Sequence, residues 1–226
     1  MLGLVIAAGG TGKRIGGLIP KQFHTINGKP ILLATLEKII SILRFDTIVI
    51  TYPQEHYKIM QELLEKAKIE NVELVEGGPT RFESIWNALR TRSIRQTDFV
   101  FVHDAVRPFV TKELIIRIYD AVLRFNAVAP GVKIKDTIKE LDSEEFITGT
   151  IDRSNLVAIQ TPQAFKTSLL ISAYEKAFSE GKSFTDEAGV VEYFGKPVKF
   201  VEGLETNIKI TTPQDLILAN LMATLE

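Results

Sequence analysis

Short apolar runs alternate along the chain with longer stretches in which apolar residues recur every three or four positions. The runs at 2–8 (LGLVIAA), 46–52 (DTIVITY), 71–77 (NVELVEG) and 98–104 (DFVFVHD) read as buried strands, three of them rich in β-branched residues. Between and after them the spacing predicts helices over 31–43, 56–68, 81–92 and 112–125, the last placing Leu114, Ile118, Ala121, Val122 and Phe125 on one face. A β-α-β-α order predicts an α/β fold with a mostly parallel sheet and helices on both faces. Ligands of such sheets sit beyond the carboxyl ends of the strands. The glycine loop after the first strand, the GGPTR segment (77–81) and the HDAVRP segment (103–108) therefore belong on one edge.

The second half has another rhythm. Residues 131–163 are β-prone and polar, with LDSEE (141–145) as a turn between two strands. A two-stranded ribbon is marginal alone, so the expectation is an arm at about 133–158 that packs on something else, plausibly a second subunit. Helices are expected at about 167–180 and 185–194, the latter with a capped start at Thr185–Glu187, and a strand at 197–203. A last helix has Thr212 as N-cap, Pro213 at its first position and Asp215 at its third. Nothing reads as a linker, repeat or low-complexity segment, so residues 1–226 are taken as one domain carrying the arm.

With 226 residues, 45% hydrophobic and 24% charged, the chain has ample material for such a core. Its net charge of −1 gives no argument for nucleic acid or an anionic membrane as partner, so an anion site must gather its cations locally. There is no cysteine, which removes disulfides, thiolate catalysis and zinc–cysteine sites. The 2–8 run is too short to span a membrane and lacks a basic leader, so the expected setting is soluble and cytoplasmic.

Local concentration is what the first loop offers. Gly9, Gly10 and Gly12 allow a sharp turn and close approach of backbone N–H groups to an anion, and Lys13, Arg14 and Lys21 bring three cations within nine residues. The loop fits neither familiar phosphate template. Ala7 stands where a Walker loop needs glycine, Arg14 follows Lys13 where it needs Ser or Thr, and Ile15 replaces the third glycine of a dinucleotide fingerprint. Such charge density suits a polyphosphate. At the third strand Gly77 and Gly78 permit approach of a planar ligand, with Arg81 and Ser84 one turn apart on the helix behind them; a glycine turn and cap would look the same. Asp104 and Arg107 form a charged pair at a strand end, readable as a Mg²⁺ or hydroxyl ligand with a phosphate-binding arginine, or as a structural ion pair.

Taken together, AAGGTGKRIGGLIPKQF (7–23) resembles the signature loop of nucleotidyltransferases with a glycosyltransferase-A-like fold. VHDAVRPFV (102–110), KDTIKE (135–140), IDRSNLVAIQTPQAF (151–165), TDEAGVVEYFG (185–195) and NIKITTPQDL (207–216) resemble the bacterial 2-C-methyl-D-erythritol 4-phosphate cytidylyltransferase family. The resemblance implies a Rossmann-like, mixed and mostly parallel sheet of the nucleotide-diphospho-sugar transferase kind. It implies attack by a polyol phosphate on the α-phosphorus of CTP, with Mg²⁺ as cofactor and no protein nucleophile. On matching positions Arg14 and Lys21 are the transition-state cations, with Lys209 counted beside them. Ala7, Ala8, Gly9, Gly10, Thr11, Gly12 and Lys13 cradle the triphosphate. Gly77, Gly78, Arg81 and Ser84 are the cytidine segment, too closely built for a purine. Asp104 and Ala105 border the nucleotide, Asp104 being also the candidate metal ligand. Arg107, Thr137, Arg153, Thr161, Thr185, Asp186 and Lys209 serve the second substrate, with Arg153 reaching across from a partner's arm in a homodimer. Two departures stand out: many members have one residue fewer before the basic pair, and Pro79 replaces an acidic residue and removes an N–H.

Two other readings fit part of the pattern. HDAVRPF and NIKITTP would suit ribitol-5-phosphate cytidylyltransferase nearly as well, whereas the 150–165 and 185–195 segments favour the methylerythritol family. A nucleotide-binding module without turnover would be marked by loss of a loop cation, and both Arg14 and Lys21 are present.

Overall fold

A computed structural model of the chain describes residues 1–10 and 20–225. The chain opens with β1 (Leu2–Ala7), a 3-10 turn at Lys21–Phe23 and a small hairpin, β2 (Thr25–Ile26) with β3 (Lys29–Pro30). Then follow α1 (Ile31–Ile42), β4 (Thr47–Tyr52), α2 (Tyr57–Lys66), β5 (Val72–Glu76), α3 (Arg81–Leu89), α4 (Arg92–Arg95), β6 (Phe99–Asp104) and α5 (Lys112–Phe125). The second half holds β7 (Ala127–Lys133), β8 (Ile138–Leu141), β9 (Ile147–Ile151), β10 (Val157–Ile159), β11 (Gln163–Lys166), α6 (Thr167–Ser179), α7 (Glu187–Tyr193), β12 (Lys199–Glu202) and α8 (Pro213–Ala223).

β5, β4, β1 and β6 lie side by side and parallel, as the alternating pattern requires, with Ala7 level with Thr51 on one side and Asp104 on the other. The alternation of side chains divides the core into two layers. Leu4, Ile6, Ile50 and Phe101 face α1, α2 and α5. Val5, Val49, Val100 and Val102 face α3, α6 and α7. A slip of one residue would exchange the two sets, so the register is strongly specified.

Beyond β6 the sheet turns mixed. β11 runs antiparallel between β6 and β7, while β12 pairs with β7 in parallel. Val128 is level with both Ala164 and Lys199, and Gly131 with both Ile159 and Glu202, so β10 and β11 share one edge of β7 and β12 has the other. β10 and β11 both run antiparallel to β7 and follow one another along it, so the short link between them carries the chain on in the same direction. That link sets Gln160 and Thr161 at the carboxyl edge of β6, where the Thr161 hydroxyl accepts the Asp104 amide.

Several local expectations shift for identifiable reasons. The helix expected at 81–92 breaks in two because the Thr91 hydroxyl caps a fresh turn at the Ile94 amide. Asp186, not Thr185, is the N-cap of α7, accepting from the Gly189 amide at 3.1 Å. α8 starts as expected, with a capping box between Thr212 and Asp215. On α5 the buried face is Leu114, Ile115, Ile118 and Val122, while Phe125, at the last turn before left-handed Asn126, is 49% exposed with the Lys199 ammonium over its ring.

The arm is there. Among the described residues β8 and β9 pair only with each other, outside the main sheet, around a turn in which Asp142 accepts from the Glu144 and Phe146 amides. It carries more exposed apolar surface than its polar sequence suggests: Leu141, Phe146 and Ile147 are each more than half exposed. Among the described residues no helix is long and apolar enough to cross a membrane.

Candidate active site

The parallel strands deliver their loops to one edge, and side chains there fix the backbone. Thr51, last but one on β4, accepts with its hydroxyl oxygen from the Ala8 and Gly9 amides at 3.1 and 3.2 Å. Those two N–H groups are thus already satisfied, and a main-chain anion cradle starts no earlier than Gly10. Gln22, 2% exposed, donates to the carbonyls of Ala8 and Gly10 at 2.8 and 3.1 Å. It ties the start of the loop to the 3-10 turn that bears Lys21. Thr11, Gly12, Lys13 and Arg14 lie outside the described residues.

Gly9 and Gly77 are needed for close approach. A Cβ on Gly9 would come within 2.9 Å of the Ser84 hydroxyl, and one on Gly77 within 3.1 Å of Gly9 Cα. Ser84, one turn into α3, holds the turn between them: it takes the Gly78 amide at 3.0 Å and donates towards the Thr80 carbonyl at 2.8 Å. Its proton is committed to shaping the loop, so towards a ligand the Ser84 hydroxyl can only accept, and donation to a base falls to exposed main-chain groups of that loop. Thr80 and Glu83 form the capping box that starts α3 here.

The HDAVRP segment builds the charged centre. Asp104, nearly buried, meets three cations: Arg81 Nε at 3.1 Å, Arg107 Nε at 3.3 Å and Lys209 Nζ at 2.9 Å. Burial alone would raise its pKa, but Arg81, Lys209 and Arg107 outweigh that and hold the carboxyl well below the usual carboxylate range. Arg81 also makes a two-pronged pair with fully buried Glu187, at 2.7 and 3.0 Å, and Arg107 donates to the Asn207 carbonyl at 2.7 Å. Both Asp104 oxygens therefore have cationic partners. This is a poor donor set for a metal ion held by the protein, and among the described residues no cluster of three His, Asp or Glu side chains offers another.

Behind Asp104, fully buried His103 closes a directed hydrogen-bond chain. Its Nε2 lies 3.1 Å from the Arg107 carbonyl, which can only accept, so Nε2 carries the proton and Nδ1 accepts from the Thr161 hydroxyl at 2.9 Å. Thr161 in turn accepts the Asp104 amide at 3.0 Å. Burial pushes the His103 pKa down to about 4, with Asp104 opposing. The unfolded chain takes up this proton below about 6.5 and the folded one only near 4. The contribution is complete above about pH 6.5 and is lost as pH falls towards 4, by about 3 kcal/mol. Urea unfolding at steps from pH 7.5 to 4.5 should show that decline, and His103→Gln should flatten it; equal stability across the range would contradict a neutral buried ring.

Two adjoining cavities open over this edge. One, about 340 Å³, is lined by Ala7, Ala8, Gly9, Gly10, Lys21, Gln22, the 78–81 loop, Ser84, Ala105 and Val106. The other, about 330 Å³, is lined by Arg107, the 159–161 segment, Gln163, Thr185 and Asp186. Arg81, Asp104 and Lys209 line both and form the wall between them. Gly77 backs the first through its contact with Gly9. Thr137 and Arg153 reach neither cavity: both are exposed along the arm, Arg153 in a turn where Asp152 takes the Ser154 amide and hydroxyl. A wider groove of about 910 Å³ lies at the opposite edge of the sheet, where Arg95 pairs with Glu175 and the Met1 amine with Asp98.

Sequence reasoning passed over Thr51, Gln22 and Asn207, and read Glu187, with Thr185 and Asp186, as a capped helix start or a ligand contact without foreseeing its pairing with Arg81. Gln22 adjoins a named lysine, which is a weak signal; Thr51 and Asn207 carry none until the strands are in register.

A mainly parallel sheet with a glycine loop, a basic turn and paired cavities at its carboxyl edge is the architecture of a nucleotide-binding α/β protein, and the family the chain matches makes its class a nucleotidyltransferase. The chain belongs to the 2-C-methyl-D-erythritol 4-phosphate cytidylyltransferase family, whose model matches residues 2–224. It is 41% identical over 219 residues to the enzyme of that name from Clostridium botulinum, covering 96% of this chain and 97% of the relative. The structure superposes on 4-diphosphocytidyl-2C-methyl-D-erythritol synthase of Anaerococcus prevotii with a TM-score of 0.84 at 32% identity, over 99% of this chain and 95% of that one. The cytidylyltransferase of Thermus thermophilus gives 0.78 at 31% identity, over 98% of both.

Proposed function

We propose that the first cavity takes CTP and the second 2-C-methyl-D-erythritol 4-phosphate, and that the chain joins them to 4-diphosphocytidyl-2-C-methyl-D-erythritol with release of pyrophosphate. The observation that carries this reading is the shared wall of Arg81, Asp104 and Lys209, which sets two substrates against one another. An oxygen of the acceptor phosphate attacks the α-phosphorus of CTP in line, the new P–O bond forming as the bond to the β-phosphate breaks. The nucleophile comes from the acceptor, so the protein has to orient two anions and stabilise the charge that develops between them. Lys21 borders the nucleotide cavity where the triphosphate lies, and Arg14 adds a second cation on the family's pattern. Lys209, fixed by Asp104, faces the acceptor phosphate from the shared wall. With both Asp104 oxygens paired, a Mg²⁺ ion would be held by the phosphates of CTP rather than by this carboxylate, and would supply charge neutralisation on the triphosphate. The assay is pyrophosphate release from CTP with methylerythritol phosphate, against ATP and ribitol phosphate as controls. Faster turnover of ribitol phosphate would overturn the choice of acceptor.

The same reading makes the protein a cytoplasmic homodimer. The arm's exposed Leu141, Phe146 and Ile147 need a cover that one chain does not provide, and Thr137 and Arg153 serve a second cavity only if it is a partner's. Deleting residues 138–150 should give a monomer by light scattering, with turnover down by about tenfold or more, the size of a lost substrate-positioning contact. A fully active dimer after the deletion would refute this role.

A further inference from the structure

We propose that Glu187 is a positioning residue for the transfer, acting through Arg81; the proposal rests on the two-cavity reading above. Glu187 opens α7 directly after Thr185 and Asp186, which line the acceptor cavity, yet its own side chain is fully buried and touches neither cavity. Its carboxylate takes Arg81 Nη1 at 2.7 Å and Nη2 at 3.0 Å, while Arg81 Nε reaches Asp104 at 3.1 Å. Every nitrogen of the guanidinium is engaged, so its plane is fixed in one orientation. The Tyr174 hydroxyl donates to Glu187 at 3.1 Å and fixes the carboxylate in turn.

The consequence is a rigid link between the substrates. Arg81 starts α3, the helix carrying the nucleotide loop, and stands in the shared wall. Glu187 ties it to the segment lining the acceptor cavity. Without that tie the guanidinium could leave Asp104, and Arg107 and Lys209 would redistribute around the carboxylate. Orientation of the acceptor against the nucleotide would suffer more than nucleotide binding itself, because the loop at Gly78–Ser84 is held separately by Ser84 and the Thr80–Glu83 capping box.

The test is Glu187→Gln, which keeps shape and removes charge. Wild-type turnover with CTP and the acceptor comes first, since its absence would refute the function itself. Trp86, the single tryptophan, stacks 5.9 Å from the Tyr174 ring, so its fluorescence reports whether the variant is folded around this site. In folded Glu187→Gln, kcat should fall about tenfold or more while the KM for CTP changes less than about threefold, the signature of lost orientation. A kcat within about twofold of wild type would overturn the proposal. Removing one partner of a buried pair can prevent folding, so Arg81→Lys is the second arm: it retains the charge but loses the two-pronged contact. It should show the same split; a raised KM for CTP at unchanged kcat would make Arg81 a simple ligand contact and refute the role of Glu187.

Discussion

Asp104→Asn is expected to abolish most turnover, by about 10³-fold, and to lower the melting temperature by about 6–12 °C. Asparagine matches the shape of aspartate, so the change isolates charge. It leaves Arg81, Arg107 and Lys209 around a neutral group, and removing one partner of a buried charged cluster costs about 3–5 kcal/mol. In a domain of this size each kcal/mol shifts the midpoint by about 2–4 °C, and the lower end of that cost gives the range stated. The loss of activity has a separate origin. Asp104 pairs with both Lys209 and Arg81 in the wall the two cavities share, with Glu187 as the second anchor of Arg81. Steady-state kinetics well below the melting point, alongside calorimetry, would separate the two effects. A variant that melts and turns over like wild type would show that backbone geometry, not Asp104, assembles the wall.

Lys21→Ala should lower kcat by about 10²-fold or more while the KM for CTP rises by less than about tenfold. Additional charge develops on the leaving pyrophosphate as its bond to the α-phosphorus breaks, so a cation placed beside it contributes to rate more than to binding. Lys21 is well held for this: Pro20 precedes it, it opens the 3-10 turn, and Gln22 beside it is clamped to the Ala8 and Gly10 carbonyls. Near-normal kcat in the variant would remove Lys21 from the mechanism. A parallel measurement on Gln22→Ala is informative as a control on loop shape.

The parallel half of the fold could be read from sequence because each of its strands is an apolar run between helical stretches, and one register satisfies both faces of β1. β11 could not. The segment QAFK is short, and its antiparallel place between β6 and β7 follows from β7 and β12, which lie far from it in the chain. The site divides in the same way. Glycines and cations at strand ends announce themselves, and the residues of the two cavities were mostly foreseen. The roles within the cluster were not: Asp104 and Arg107 do form the ion pair that was the plainer reading, but with Arg81 and Lys209 joined to it. The Ser84 proton and the Ala8 and Gly9 amides are engaged within the loop itself. Such commitments depend on which neighbours arrive across the sheet, and spacing along the chain does not record them.

The late position of β11 also bears on how the chain is made. The four parallel strands are complete by residue 104, before α5, α6 and α7 that help cover them, and the outer edge of β6 stays without its β11 partner until residues 163–166 arrive. During synthesis an apolar central strand must wait, edge open, for some sixty residues that include the whole exposed arm, and open edges are where chains join the wrong partner. The strand that completes the acceptor cavity is thus also the one that seals the nascent sheet.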